Sequence, residues 1–171
     1  VGQSRYNTHS TVVVFVFNMM GAMTLRTAPP FRADHVGSFL RPPALLEARE
    51  KFRTGKLARE RLREAEDAAI RDIVRLQEEV GLQSVTDGEY RRTYFHIDFL
   101  TQLQGVTTKG GIHVRFHSAK GDVDFEPPVM QVTQRVRHDK GIQRADFEFL
   151  HSVTSRTPKV TIPSPTMLHF R

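Results

Sequence analysis

The chain has 171 residues, no cysteine, a formal charge of +6 and a pI near 10.1. Without cysteine there can be no disulfides and no thiolate metal ligands, a composition compatible with a reducing cytoplasm. The positive balance comes from basic residues scattered among acids, as in Glu60-Arg61-Leu62-Arg63-Glu64, with no basic run interleaved with aromatics, so it leaves no nucleic-acid footprint.

Residues 1–28 stand apart from the rest, with a polar start, an apolar run Val12–Phe17, then Asn18 and three methionines around Gly21. The run is far shorter than the roughly 18 residues a spanning helix requires, so no membrane span is expected. Arg5 before the run and Ala22 after it make a poor match to a signal peptide. This segment reads as a leader with no fold of its own, and Met19, Met20 or Met23 lies nearer a natural start.

From Pro29 the pattern is that of an α/β domain, 29–171. Ala33–Phe39 is predicted as a short strand whose C-terminal end carries His35 and Ser38. Pro42 and Pro43 suit the first turn of a helix over Pro43–Arg53, because the proline amide would be unpaired there anyway. A second helix is predicted over Leu57–Val80. Leu62, Ala65, Ala69, Ile73, Leu76 and Val80 recur at three- and four-residue steps, with Ile70 and Val74 widening the stripe. Gly81 is the expected C-cap, and Gln83–Thr86 the second strand. Strand, helix, strand is the unit that builds parallel sheets.

Thr93–Leu103 can form a short helix. Gly105–Arg137 then alternates apolar and polar residues between glycines, the pattern of a β-hairpin with Ala119-Lys120-Gly121-Asp122 as its turn. A helix over Arg144–Ser155 and a third parallel strand, Lys159–Ile162, lead into a Pro163–Thr166 loop.

Polar residues gather where the three predicted strands end: His35–Ser38, Asp87–Glu89 and Ser164–Thr166. Gly37 lets a ligand approach the backbone, and the Ser38 hydroxyl beside it suits a carboxylate. Glu89 suits an ammonium group, and an amino acid carries both. Each has an ordinary structural alternative: Ser38 as a turn or cap serine, and Glu89 as a partner of Arg91, Arg92 or a neighbouring lysine. His35 could donate to a carboxylate, act as an acid or satisfy backbone groups, and Asp87 could orient an arginine. His113, His117, His138, His151 and His169 lack metal-ligand spacing.

HVGSF at His35–Phe39, TDGEYRR at Thr86–Arg92 and the closing KVTIPSPTMLHFR together resemble the cobalamin-independent methionine synthase family, especially its short single-barrel members, over Pro30–Arg171. The resemblance implies a TIM (β/α)8 barrel. A whole barrel needs at least about 200 residues, so the expectation is its N-terminal part, incomplete, with a β-hairpin insertion after the second strand. About three barrel strands would leave an open sheet edge through which the chain could self-associate. By the same resemblance the loops around Gly37, Ser38 and Glu89 bind homocysteine or another small thiol, Tyr94 and His96 line the substrate pocket, and His35 and Asp87 are neighbours of the site. The family's zinc, held by one His, one Glu and two Cys of later strands, would find no ligands here. The methyl donor is of the methyltetrahydrofolate type, with another methyl or alkyl donor open for short members, and the family is cytoplasmic. The alternatives are an alkyl-thiol transferase or lyase, or a uroporphyrinogen-decarboxylase-like enzyme of the same superfamily, and a non-catalytic, self-associating fragment.

Overall fold

The computed structural model describes residues 28–29, 31, 33–111, 113–118 and 121–169. The expected leader therefore lies almost wholly outside the described residues. The chain divides into two units at Arg32/Ala33, and every helix and strand described belongs to the second.

Helix α1 (Pro43–Arg53) opens on Pro42 and Pro43 as expected. Helix α2 (Arg59–Glu79) returns beside it, starting two residues later than the periodicity predicts. Its inward stripe is Leu62, Ala69, Ile70, Ile73 and Val74, whereas Leu76 and Val80, expected in the core, are 49% and 67% exposed. Gln77 takes the inward position instead. Its side-chain Nε2 donates to the Thr86 carbonyl at 2.9 Å, and its Oε1 accepts the Thr86 amide at 2.9 Å. A side-chain amide here does the work of a neighbouring strand.

The sheet beside this clip is short. Strand β1 (Ser84–Val85) pairs in parallel with a strand near the C-terminus, Thr157–Pro158, with Ser84 opposite Thr157 and Val85 opposite Pro158. Pro158 is tolerated because its neighbours supply the rungs: the Thr157 and Lys159 amides donate to the Gln83 and Val85 carbonyls at 3.1 and 2.8 Å. The third strand was expected over Lys159–Ile162. The observed ladder lies two residues earlier, and its last rung is the Lys159 amide on the Val85 carbonyl.

The expected strand over Ala33–Phe39 does not form a ladder. The segment runs alongside β1 and the residues after Pro158, but its carbonyls are claimed by side chains. Lys159 Nζ donates to His35, Thr161 Oγ1 to Val36 at 2.8 Å and Thr86 Oγ1 to Gly37 at 2.7 Å. One backbone bond, from the Phe39 amide to the Gly88 carbonyl at 3.0 Å, closes its end.

After β1 comes a single-turn helix, α3 (Ile97–Leu100), shorter than the predicted Thr93–Leu103. The Asp98 carboxylate accepts the amides of Thr93 and Tyr94, which holds the residues before the helix as turns. The antiparallel arm expected from the alternation is present as two ladders. Strand β2 (Gln104–Gly111) pairs with β5 (Pro128–Arg137), and β3 (Val114–Ser118) with β4 (Gly121–Phe125). Ala119 and Lys120 of the expected turn lie outside the described residues, while Gly121 and Asp122 are already in β4. Helix α4 (Arg144–Ser152) ends before the predicted Ser155, because Thr154 Oγ1 and the Ser155 amide bond to Glu78 Oε1 on α2. Strand β6 (Thr157–Pro158) and a 3-10 turn, Pro165–His169, follow.

The core is formed by Leu45, Ala69, Ile70, Ile73, Val74, Val85, Tyr90 and Leu150. Burying each large aliphatic side chain contributes about 1.5–3 kcal/mol. The core also fixes the rim where Tyr90 sits, since that residue belongs to the loop leaving β1.

Candidate functional site

The loop after β1 is tightly fastened. Asp87 Oδ1 accepts the Glu89 amide at 2.9 Å, a local side-chain turn that lets the chain reverse. Gly88 and Glu89 follow with φ of 66° and 58°. For glutamate this left-handed backbone costs on the order of 1 kcal/mol or more, so its neighbours must hold it. Arg41 donates to the Glu89 and Arg92 carbonyls, Arg49 to the Tyr90 carbonyl at 2.7 Å, and the Tyr90 hydroxyl to the Leu40 carbonyl at 3.0 Å.

A buried salt network secures the other side of the same loop. Arg91, its side chain 5% exposed, pairs with Asp67 on α2 and lies 3.7 Å from Glu66 and 3.5 Å from Asp146 on α4, with its guanidinium over the Phe149 ring. Burial pushes the Glu66 carboxyl above the usual carboxylate range, against the pull of Arg91.

These contacts bring together two of the three clusters found in the sequence. A methyl group built on Gly37 would lie 2.6 Å from Glu89 Oε1 and 2.7 Å from Thr161 Oγ1, so only glycine leaves room for the carboxylate. Ser38, the next residue, is exposed, and neither its amide nor its hydroxyl donates to another described residue. The third cluster does not join them: Ser164 and Thr166 bond to each other in the 3-10 turn. Thr161 is the residue of that segment that reaches the site.

Asp87 and Glu89 are 5% and 8% exposed, and Arg92 lies between them. Arg92 donates to Asp87 Oδ1 at 3.2 Å and to the Thr161 carbonyl at 2.8 Å, but is 4.0 Å from Glu89 Oε1. The Glu89 carboxylate thus accepts no hydrogen bond from another described residue, although the surrounding fold buries it. Arg41 also stands near Glu89, on its backbone side, and neither guanidinium hydrogen-bonds the Glu89 carboxylate, which leaves its oxygens able to accept from an incoming ammonium group.

His35 stacks on Phe39 with ring centroids 3.9 Å apart, and its Nδ1 is buried without a hydrogen-bond partner among the described residues. The Asp34 carboxyl, bonded by Lys159 and Ser84, is held down at about 2. Tyr94 and His96 line a cavity of about 250 Å³ with Phe125, Val129, Met130 and Met167; none of His35, Ser38, Asp87 and Glu89 lines it. Arg41, Thr161 and Lys159 were not singled out from the sequence; Arg92 was named there as an ordinary partner of Glu89, and it bonds to Asp87 instead.

The residues present do not fit a zinc ion. The chain has no cysteine, and no group of three or more His, Asp or Glu among the described residues could hold a metal. Nor does any described helix have the length and apolarity to cross a membrane.

Comparison with known proteins bears on this site. Residues 31–157 match the family described as cobalamin-independent synthase, catalytic domain. The uncharacterized protein YxjH of Bacillus subtilis (strain 168) is 42% identical over 146 residues, 82% of this chain and 37% of that protein. A putative vitamin-B12 independent methionine synthase from Listeria monocytogenes superposes with a TM-score of 0.65 at 39% identity, over 82% of this chain and 38% of the other. A B12-independent methionine synthase from Shewanella sp. W3-18-1, solved in complex with selenomethionine, matches with a TM-score of 0.51 at 25% identity, over 67% of this chain and 32% of the other. The chain thus spans well under half the length of these relatives.

Proposed function

Because the chain belongs to the cobalamin-independent methionine synthase family, we propose that it carries the amino-acid-binding rim of a methionine-synthase-type S-methyltransferase. Glu89 accepts hydrogen bonds from the ammonium group of homocysteine, or of another small thiol with an amino-acid end. The Ser38 amide and hydroxyl, which donate to no other described residue, and the open backbone at Gly37 receive its carboxylate. His35 and Asp87 border the same rim.

The observation that carries this reading is the Glu89 carboxylate itself, buried on Gly37 without a hydrogen bond from another described residue. A unit charge about 4 Å away is attracted by roughly 4 kcal/mol at an effective dielectric of 20, before desolvation is subtracted. The selenomethionine bound to the Shewanella relative supports an amino-acid ligand for the family.

Methyl transfer from a methyltetrahydrofolate-type donor, and the zinc that would hold the substrate sulfur as thiolate, belong in this reading to the whole family barrel. The N-terminal part of that barrel, with the antiparallel arm as an insertion, is the piece represented here. The reaction is placed in the cytoplasm, where small thiols are kept reduced.

Titration calorimetry of the purified chain tests the rim directly. Homocysteine should bind at least about tenfold more tightly than 4-mercaptobutanoate, which lacks the amine, and Glu89→Gln should abolish that preference, as expected for a charge-assisted hydrogen bond. Equal affinity for the two thiols would sink the proposal.

A second reading, self-association through an open sheet edge, is favoured by Val36 at 82%, Leu40 at 96% and Ile162 at 58% exposure beside a parallel ladder of only two strands. Size-exclusion chromatography separates the readings: a self-associating chain that gives no response to homocysteine favours the second.

A further inference from the structure

We infer that Asp87 is a positioning residue that keeps Arg92 off Glu89, and so sets the preference for substrates bearing an amine. The inference rests on the reading of Glu89 as the ammonium acceptor, and goes beyond it by giving Asp87 a role that requires no contact with substrate.

Arg92 is buried, 5% exposed, and has three oxygen neighbours. Nη2 bonds to Asp87 Oδ1 at 3.2 Å, Nη1 to the Thr161 carbonyl at 2.8 Å, and Nη2 is 4.0 Å from Glu89 Oε1, beyond hydrogen-bond reach. The difference between 3.2 and 4.0 Å decides which carboxylate the guanidinium serves. A buried guanidinium beside two carboxylates bonds to whichever is held nearest, and Asp87 is held: its Oδ1 also accepts the Glu89 amide. Glu89 is held as well, turned toward Gly37 by its left-handed backbone and by Arg41 on its carbonyl.

If the Asp87 charge is removed, the strongest tether on Nη2 goes with it. The guanidinium then needs to shift only about 1 Å to bond with Glu89, whose charge it would neutralise. A substrate ammonium would have to displace an internal cation, and the amine preference would collapse although Glu89 is intact. Removing Arg92 as well should remove the competitor.

The test reads the ratio of dissociation constants for 4-mercaptobutanoate and homocysteine, by calorimetry on the full chain. Asp87→Asn is expected to weaken homocysteine binding about tenfold, with little change for 4-mercaptobutanoate. The double variant Asp87→Asn with Arg92→Gln is expected to recover most of the preference. A residue that merely supported the turn would not be rescued by a second buried substitution.

An Asp87→Asn ratio within twofold of the parent, or a double variant as indifferent to the amine as the single, overturns the inference. Should Asp87→Asn not fold, Arg92→Gln alone decides: the preference persists or grows if Arg92 competes for Glu89, and its loss overturns the proposal. The parent and Glu89→Gln are measured in parallel. If the parent has no amine preference the ammonium reading fails; if the parent has one and Asp87→Asn retains it, only the role of Asp87 fails.

Discussion

Gly37 and Glu89 are in contact: the glycine presents its bare α-carbon to the carboxylate, and a β-carbon there would stand 2.6 Å from Oε1. Gly37→Ala should therefore displace the Glu89 side chain or Thr161, with an overpacking cost of about 1–3 kcal/mol. We expect a lower midpoint in urea together with reduced homocysteine affinity. Unchanged affinity in a folded Gly37→Ala chain would mean that the carboxylate position does not matter for binding.

The Gln77 clip should be a major stabilising element of the fold. Gln77→Leu keeps the volume roughly constant but strands the buried amide and carbonyl of Thr86, at about 1–3 kcal/mol for each unsatisfied group. Urea unfolding should show a loss of roughly 2–4 kcal/mol. A loss under 0.5 kcal/mol would show that other groups take over the Thr86 peptide.

Asp34 predicts an acid dependence. Its carboxyl is lowered from 3.8 to about 2, first by the hydrogen bond from Lys159 and then by that from Ser84. The folded state therefore binds the proton less well than the unfolded chain. The stabilisation is complete above about pH 4 and is lost as the pH falls towards 2. The side chain is 50% exposed, so screening limits the effect to at most about 1 kcal/mol. Asp34→Asn should flatten this part of the stability profile, and an unchanged slope would refute the assignment.

Glu66 has the opposite sign. Burial raises its carboxyl above 4.5, so the folded chain holds the proton more tightly and bears a growing cost as the pH climbs through the raised value. Arg91 keeps Asp67 and Asp146 if Glu66 is neutralised. Thermal melts of Glu66→Gln should match or exceed the parent at pH 7, and the difference should close near pH 4, where both side chains are neutral. A marked fall in Tm at pH 7 would identify the Glu66–Arg91 pair as a net source of stability.

Much of the helical structure was legible because its causes are local. Pro42 and Pro43 start α1, and the spacing of Leu62, Ala69 and Ile73 marks the inward face of α2. The alternation across Gly105–Arg137 announced the antiparallel arm. Strand ends were harder to read, because they depend on which groups from distant segments reach the backbone. The β1–β6 ladder closes with the Lys159 amide on Val85, and the side chains of Lys159, Thr161 and Thr86 took the carbonyls that would have made Ala33–Phe39 a strand. Periodicity likewise could not place Leu76 outside and Gln77 inside, since that choice depends on a peptide nine residues away that needed both a donor and an acceptor.

The sequence by itself determined the family, the order of the helices, and the glycine, serine and acidic residues on which a rim could be built, because each is a short-range property of the chain. Only the tertiary structure decided that Gly37 faces Glu89, that Thr161 rather than Ser164 lies against Gly37, and that Arg92 answers to Asp87. Those are choices among charges and hydrogen-bonding groups that become neighbours only when distant segments fold together, and fractions of an ångström settle them.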